Sequence, residues 1–197
     1  MIANLAALLL ASAALMGSPG PATLSLAAIG AAFGARQGLP YLAGIVLGTL
    51  GVLLIVASGL TAAILTVPAI ANVVTFVAAA YILYLAWRIA TAPPLGQNDA
   101  TVRAPSLVAG FALAIANPKA YAAIGAVYSG NVLVTGDILS DAGLKIAVLA
   151  AMILTINSTW LVFGSLISRF LHDPRYSRIA NITFALLLLV SVAFAVF

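Results

Sequence analysis

The sequence predicts an all-α membrane protein of six transmembrane helices, arranged as two inverted three-helix repeats with broken first and fourth helices. Three observations carry this. Charged residues make up only 6% of the chain against 64% hydrophobic, and the mean hydropathy is +1.23. A soluble domain is about a quarter charged, because water must solvate its surface. Uncharged runs long enough to cross a bilayer, at ~20 residues per crossing, recur along the chain: no charged side chain precedes Arg36, and none lies between Arg36 and Arg88. Finally, proline and glycine interrupt two of these runs at corresponding places, one in each half.

The first span covers about 2–33 and is interrupted at Gly17-Ser18-Pro19-Gly20-Pro21. Its opening, MIANLAALLLASAALM, resembles a signal peptide but lacks a basic leader, and the apolar character runs on, so it reads as a retained span. The second span covers about 40–65 and the third about 70–90. A polar connection, TAPPLGQNDATVRAP, follows with three prolines, Asp99 and Arg103. It divides a first repeat, 1–92, from a second, 106–197, with 93–105 as a cytoplasmic loop. The fourth span, 106–130, is interrupted at Asn117-Pro118-Lys119; the fifth covers 144–168 and the sixth 179–197.

Loop charge sets the expected orientation, because cytoplasmic loops are enriched in Lys and Arg. Arg36, Arg88, Arg103, Arg169, Arg175 and Arg178 fall in the loops after spans one, three and five. Lys145 stands alone on the other side, with Asp137 and Asp141. Both termini are therefore expected outside, in the periplasm. Three crossings per half make the second half enter from the opposite face, which gives an inverted repeat.

The breaks are the candidate substrate site. Pro19 and Pro21 cannot sit in an unbroken helix, since each removes a donor and crowds the preceding turn. Gly20 between them widens the backbone angles available. Backbone groups freed in this way must find partners in protein or line a wet cavity. The half-helix starting near Ala22 then offers unpaired N–H groups and partial positive charge to a carboxylate. A simple proline kink is the plain alternative for either break taken alone. Lys119 lies near the middle of the fourth span, where a lysine costs about 2.5–3.5 kcal/mol to insert. It either meets an anionic substrate group at the Pro118 break, or snorkels, or pairs with a carbonyl that Pro118 exposes. The chain has no glutamate, and Asp99, Asp137, Asp141 and Asp173 all fall in expected loops. A neutral amino acid, with its ammonium on freed carbonyls, fits that pattern better than a dibasic one.

Other features weigh less. Gly44, Gly48 and Gly51 form a small-residue face for helix packing. Tyr81, Tyr84 and Trp87 are spaced by three; Trp87 beside Arg88 suits an interfacial anchor, while Tyr81 and Tyr84 are candidates to reach a cavity. Asn157, Ser158 and Thr159 inside the fifth span are either interhelical glue or substrate contacts, with Asn157 the candidate carried forward. His172 reads as solvated. With no cysteine there are no disulfides and no thiolate chemistry. The net charge of +4 comes from scattered single residues, so no nucleic-acid surface is expected. No nucleophile–base pair, phosphate loop, cofactor motif or metal spacing stands out, which argues against an enzyme and against a bound metal.

Three stretches resemble the LysE/RhtB family of amino-acid exporters: SPGPATLSLAAIGAAFGARQGLPYLAGIVLGTLG, AAAYILYLAWR and GFALAIANPKAYAAIGAVYSG. PGP, YLxYLxW and NPK occur in that order over roughly the first two-thirds of the chain. The resemblance implies a small multi-pass protein of the bacterial inner membrane that exports amino acids and related metabolites, with protons as coupling ion. It makes Pro19, Gly20 and Pro21 the first signature and Asn117, Pro118 and Lys119 the second. Ala79 and Ala86 replace glycines of the family pattern, and no intramembrane aspartate appears, which weighs against basic substrates. The alternatives are a metal-ion exporter of the same superfamily and a non-transporting scaffold or assembly protein. Self-association into a homo-oligomer is left open.

Overall fold

The computed structural model describes residues 2–59, 104–170 and 174–196, with 76, 79–80, 82–87 and 89–91 of the third span. Tyr81, Arg88, Arg103, His172 and nearly all of the 93–105 connection lie outside the described residues. Among the described residues every regular element is helical. In chain order they are α1 (Ile2–Leu15), α2 (Pro21–Ala57), α3 (Leu107–Ile115), α4 (Pro118–Ser129), α5 (Ile138–Phe170) and α6 (Pro174–Val196), with residues 82–87 forming a further helical stretch.

The chain breaks where proline and glycine require it. α1 stops at Leu15, and α2 starts at Pro21 after Gly20, whose backbone is fully extended at φ −173° and ψ −179°. α3 and α4 are separated by Ala116 and Asn117 and bent by 61°. A third change of direction sits inside α2, where Gly34 takes φ 79° and ψ 160°, a backbone state that favours glycine. This turn falls at the expected loop between spans one and two, with Arg36 and Gln37 exposed beside it. By length and composition α2 and α5 can each cross a membrane, and the bent α3–α4 pair makes a third crossing if counted as one.

The expected loops before spans five and six are shorter than the sequence suggested. α5 begins at Ile138 because Asp137 caps it, its Oδ1 accepting from the N–H groups of Leu139 at 3.0 Å and Ser140 at 3.1 Å. Asp141, expected in a loop, therefore sits in the first turn of a helix. It forms a 2.8 Å ion pair with Lys145 one turn on, and its Oδ1 accepts from Leu133 N–H at 2.6 Å and Val134 N–H at 2.9 Å. Lys145 in turn donates to the carbonyls of Tyr128 at 3.1 Å and Asn131 at 3.2 Å, with its Nζ 4.2 Å from the centre of the Tyr128 ring. This buried pair fastens the C-terminal end of α4 to the start of α5. α6 likewise begins at Pro174, a residue suited to a first helical position.

Helix seams depend on bare backbone. A Cβ on Gly164 of α5 would overlap the Ala27 carbonyl of α2, and one on Gly30 would overlap that of Leu161. On the other side of α2, Gly44 meets the Leu107 carbonyl of α3 and Gly110 of α3 meets the Tyr41 carbonyl of α2. Small residues allow such contact, which matters where apolar lipid gives no hydrophobic drive to helix association. Tyr41, fully buried, donates its hydroxyl to Ser25 Oγ at 3.1 Å across the Gly34 turn. Leu10, Leu54, Trp87, Val108 and Leu154 face outward, a surface suited to lipid.

Candidate functional site

The two breaks meet. Lys119, in the first turn of α4, reaches across to the first break, where its Nζ donates to the carbonyl of Ser18 and, at 3.0 Å, to that of Pro19. The alternatives of a lysine snorkelling along its own helix or pairing with its own break are not what the fold adopts. Its partners lie about a hundred residues earlier, on carbonyls that Pro19 and Pro21 prevent from entering a helix. Gly20 leaves the room for this reach: a Cβ there would stand 2.5 Å from Lys119 Cδ and 2.8 Å from its Nζ. The next carbonyl back, that of Gly17, accepts from Trp160 Nε1 of α5 at 3.1 Å.

Each half-helix start is capped from within. Thr23 Oγ1 accepts the Gly20 N–H at 2.9 Å, and Asn117 Oδ1 accepts the Lys119 N–H at 3.2 Å. The first intrahelical bond of α2 runs from Leu24 N–H to Gly20 at 2.8 Å, so the amides of Ala22 and Thr23 stand in the orphan first turn.

Beside the clamp lies a cavity of about 40 Å³, on the scale of a few water molecules. Gly20, Ala22, Thr23, Asn117 and Lys119 line it from the breaks. Thr49 of α2 and Asn157 of α5 also line it, and Met16, Ile124, Ile153 and Ile156 supply apolar wall. Among the expected residues, Gly20, Asn117, Lys119 and Asn157 thus come together, and Pro19, Pro21 and Pro118 shape the backbone around them. Asn117 and Asn157 are almost fully buried, Lys119 half-buried.

Tyr84 is not brought to the cavity. Ile82, Leu85, Ala86 and Ile89 fill the buried face of that helix, which turns positions 84 and 87 outward. Tyr84 is 48% exposed, with its ring centre 6.5 Å from that of Trp87. Tyr81 lies outside the described residues. Thr49 and Trp160 were not expected. Thr49 carries a signal, being the one polar side chain in the run 42–57. Trp160 shares a helix face with Ile153, Ile156 and Asn157 at three- and four-residue spacing.

Comparison with known proteins agrees with this architecture. The family model for LysE type translocators matches residues 13–197. The cysteine/O-acetylserine efflux protein of Salmonella choleraesuis (strain SC-B67) is 35% identical over 177 residues, covering 87% of this chain and 86% of that protein. Its counterpart in Escherichia coli (strain K12) is 36% identical over 174 residues, with 87% and 86% covered. No solved structure matches. A match over nearly the whole chain and this identity to efflux proteins place the sequence in the LysE type translocator family, whose members are membrane efflux transporters and not enzymes.

Proposed function

We propose that the protein exports small neutral amino acids and close relatives of them, outward across the bacterial inner membrane, with the proton gradient as driving force. The observation that carries this reading is the cavity between the two breaks, with the Lys119 ammonium at its edge. Lys119 has three N–H bonds and gives two to carbonyls, so one remains for a substrate carboxylate. The two similar efflux proteins are named for cysteine and O-acetylserine, both neutral overall. None of the cavity-lining residues among those described is acidic, so a second positive charge on the substrate finds no partner among them. In this proposal the six spans form two inverted repeats, 1–92 and 106–197, with both termini periplasmic.

Counterflow in proteoliposomes tests the reading. Labelled cysteine, O-acetylserine, threonine, homoserine and leucine are expected to exchange faster than lysine or arginine, and an imposed pH gradient is expected to accelerate net flux. Faster exchange of a dibasic amino acid would overturn the substrate class, and flux indifferent to the pH gradient would overturn the coupling.

A further inference from the structure

The cavity is lined by groups of opposite hydrogen-bonding character. The wall made by the breaks offers donors: the first-turn amides of Ala22 and Thr23, the third Lys119 hydrogen, and Asn117 Nδ2 beside its capping oxygen. Asn157 and Thr49 offer acceptors to the same cavity. Asn157 is 6% exposed and its Nδ2 donates to the Ile153 carbonyl at 2.8 Å. Only the amide nitrogen can make that bond, so the side-chain oxygen is left as an acceptor in the cavity, and no hydrogen bond among the described residues reaches it. Thr49, 7% exposed, spends its hydroxyl hydrogen on the Ile45 carbonyl at 2.7 Å, so its oxygen too is left as an acceptor.

The freed carbonyls are a poor place for a substrate ammonium. Those of Ser18 and Pro19 already accept from Lys119, and that of Gly17 from Trp160. A second ammonium there would stand against the charge of Lys119.

We infer that Asn157, with Thr49 beside it, receives the α-ammonium of the transported amino acid and sets the requirement for an amino group. This rests on the exporter reading. The zwitterion then lies across the cavity, carboxylate toward the breaks and ammonium toward α5, and neutral dipoles stand where no acidic residue lines the cavity among the described residues.

The test pairs the labelled neutral amino acid of highest flux with its deaminated acid, for cysteine 3-mercaptopropionate, in proteoliposomes. In the wild type the deaminated acid is expected to compete roughly ten- to a hundredfold more weakly. Asn157→Leu is expected to weaken the amino acid by about that factor and to leave the deaminated acid unchanged, so the two curves converge. Equal weakening of both ligands, or unchanged affinity for the amino acid, would overturn the assignment. Should Asn157→Leu fail to insert, Thr49→Val, which exchanges the hydroxyl for a methyl, is expected to give a smaller convergence of roughly three- to tenfold; no convergence there would overturn it as well. Absence of wild-type flux for every neutral amino acid would remove the exporter reading and this inference with it, whereas flux without convergence removes the ammonium subsite alone.

Discussion

Gly20 has no side chain where Lys119 passes over it, and that pair sets what single substitutions can do. A methyl at position 20 would meet the flexible end of Lys119 at 2.5 Å rather than rigid backbone, so the lysine, not the chain, gives way. Gly20→Ala is therefore expected to lower the thermal unfolding temperature in detergent in the wild-type background and to do little in a Lys119→Ala background. Residues in contact are expected to show such non-additivity, typically about 0.5–3 kcal/mol; equal losses in both backgrounds would mean that the glycine acts without the lysine. The participants in this contact were visible in the sequence. A lysine in mid-span and a PGP run are both costly in lipid unless something uses them. Their partnership was not, because Ser18 and Lys119 are 101 residues apart and no local pattern joins them. Thr49 and Trp160 do carry local signals, a lone polar residue in 42–57 and a face shared with Asn157, but neither signal says that the residue reaches the breaks. Tyr84 was misplaced because a spacing of three shows that residues share a face and not which way the face looks.

At the scale of elements, the seams of α2 against α3 and α5 are made by backbone touching backbone. Gly164 and Gly110 each sit where a Cβ would overlap a carbonyl, whereas a Cβ at Gly125 or Gly143 would meet nothing within 4 Å. The same glycine-to-alanine change should thus have opposite signs. Gly164→Ala and Gly110→Ala are expected to destabilise by about 1–3 kcal/mol through overpacking. Gly125→Ala and Gly143→Ala should stabilise by about 0.5–1 kcal/mol through helix propensity. Thermal melts of the four variants in one detergent check this, and a uniform sign would show that the seams relax. The small-residue face of Gly44, Gly48 and Gly51 was legible as packing, since apolar helices in lipid need such faces to approach. The start of α5 was not. A buried Asp141–Lys145 pair looks like loop charge in sequence until the loop that covers it is placed.

For the whole molecule, composition alone established the class, because a chain with so few charges cannot dress a surface for water. Orientation rests on where the arginines fall, and the cysteine-free chain makes it easy to check. Gln37 and Leu139 are both exposed, beside the Gly34 turn and at the start of α5. With periplasmic termini, a cysteine at position 139 is expected to react with an impermeant thiol reagent in intact cells and one at position 37 to be protected. The reverse pattern would invert the molecule, and equal reactivity would change the number of crossings between them.

α4 is fastened at both ends by a lysine, and the two fastenings differ in kind. At its outer end Lys145 is matched by a carboxylate, two carbonyls and an aromatic ring, none of which a passing amino acid can replace. At its inner end Lys119 holds only neutral carbonyls, with its third hydrogen uncommitted. Under the proposed function the helix would act as a lever, with its pivot at Tyr128 and its free end at Lys119. From Tyr128 to Lys119 the arm is roughly 14 Å at 1.5 Å per residue. A tilt of about 10° about the pivot would then move the Lys119 end by roughly 2.4 Å while the outer hydrogen bonds stay made.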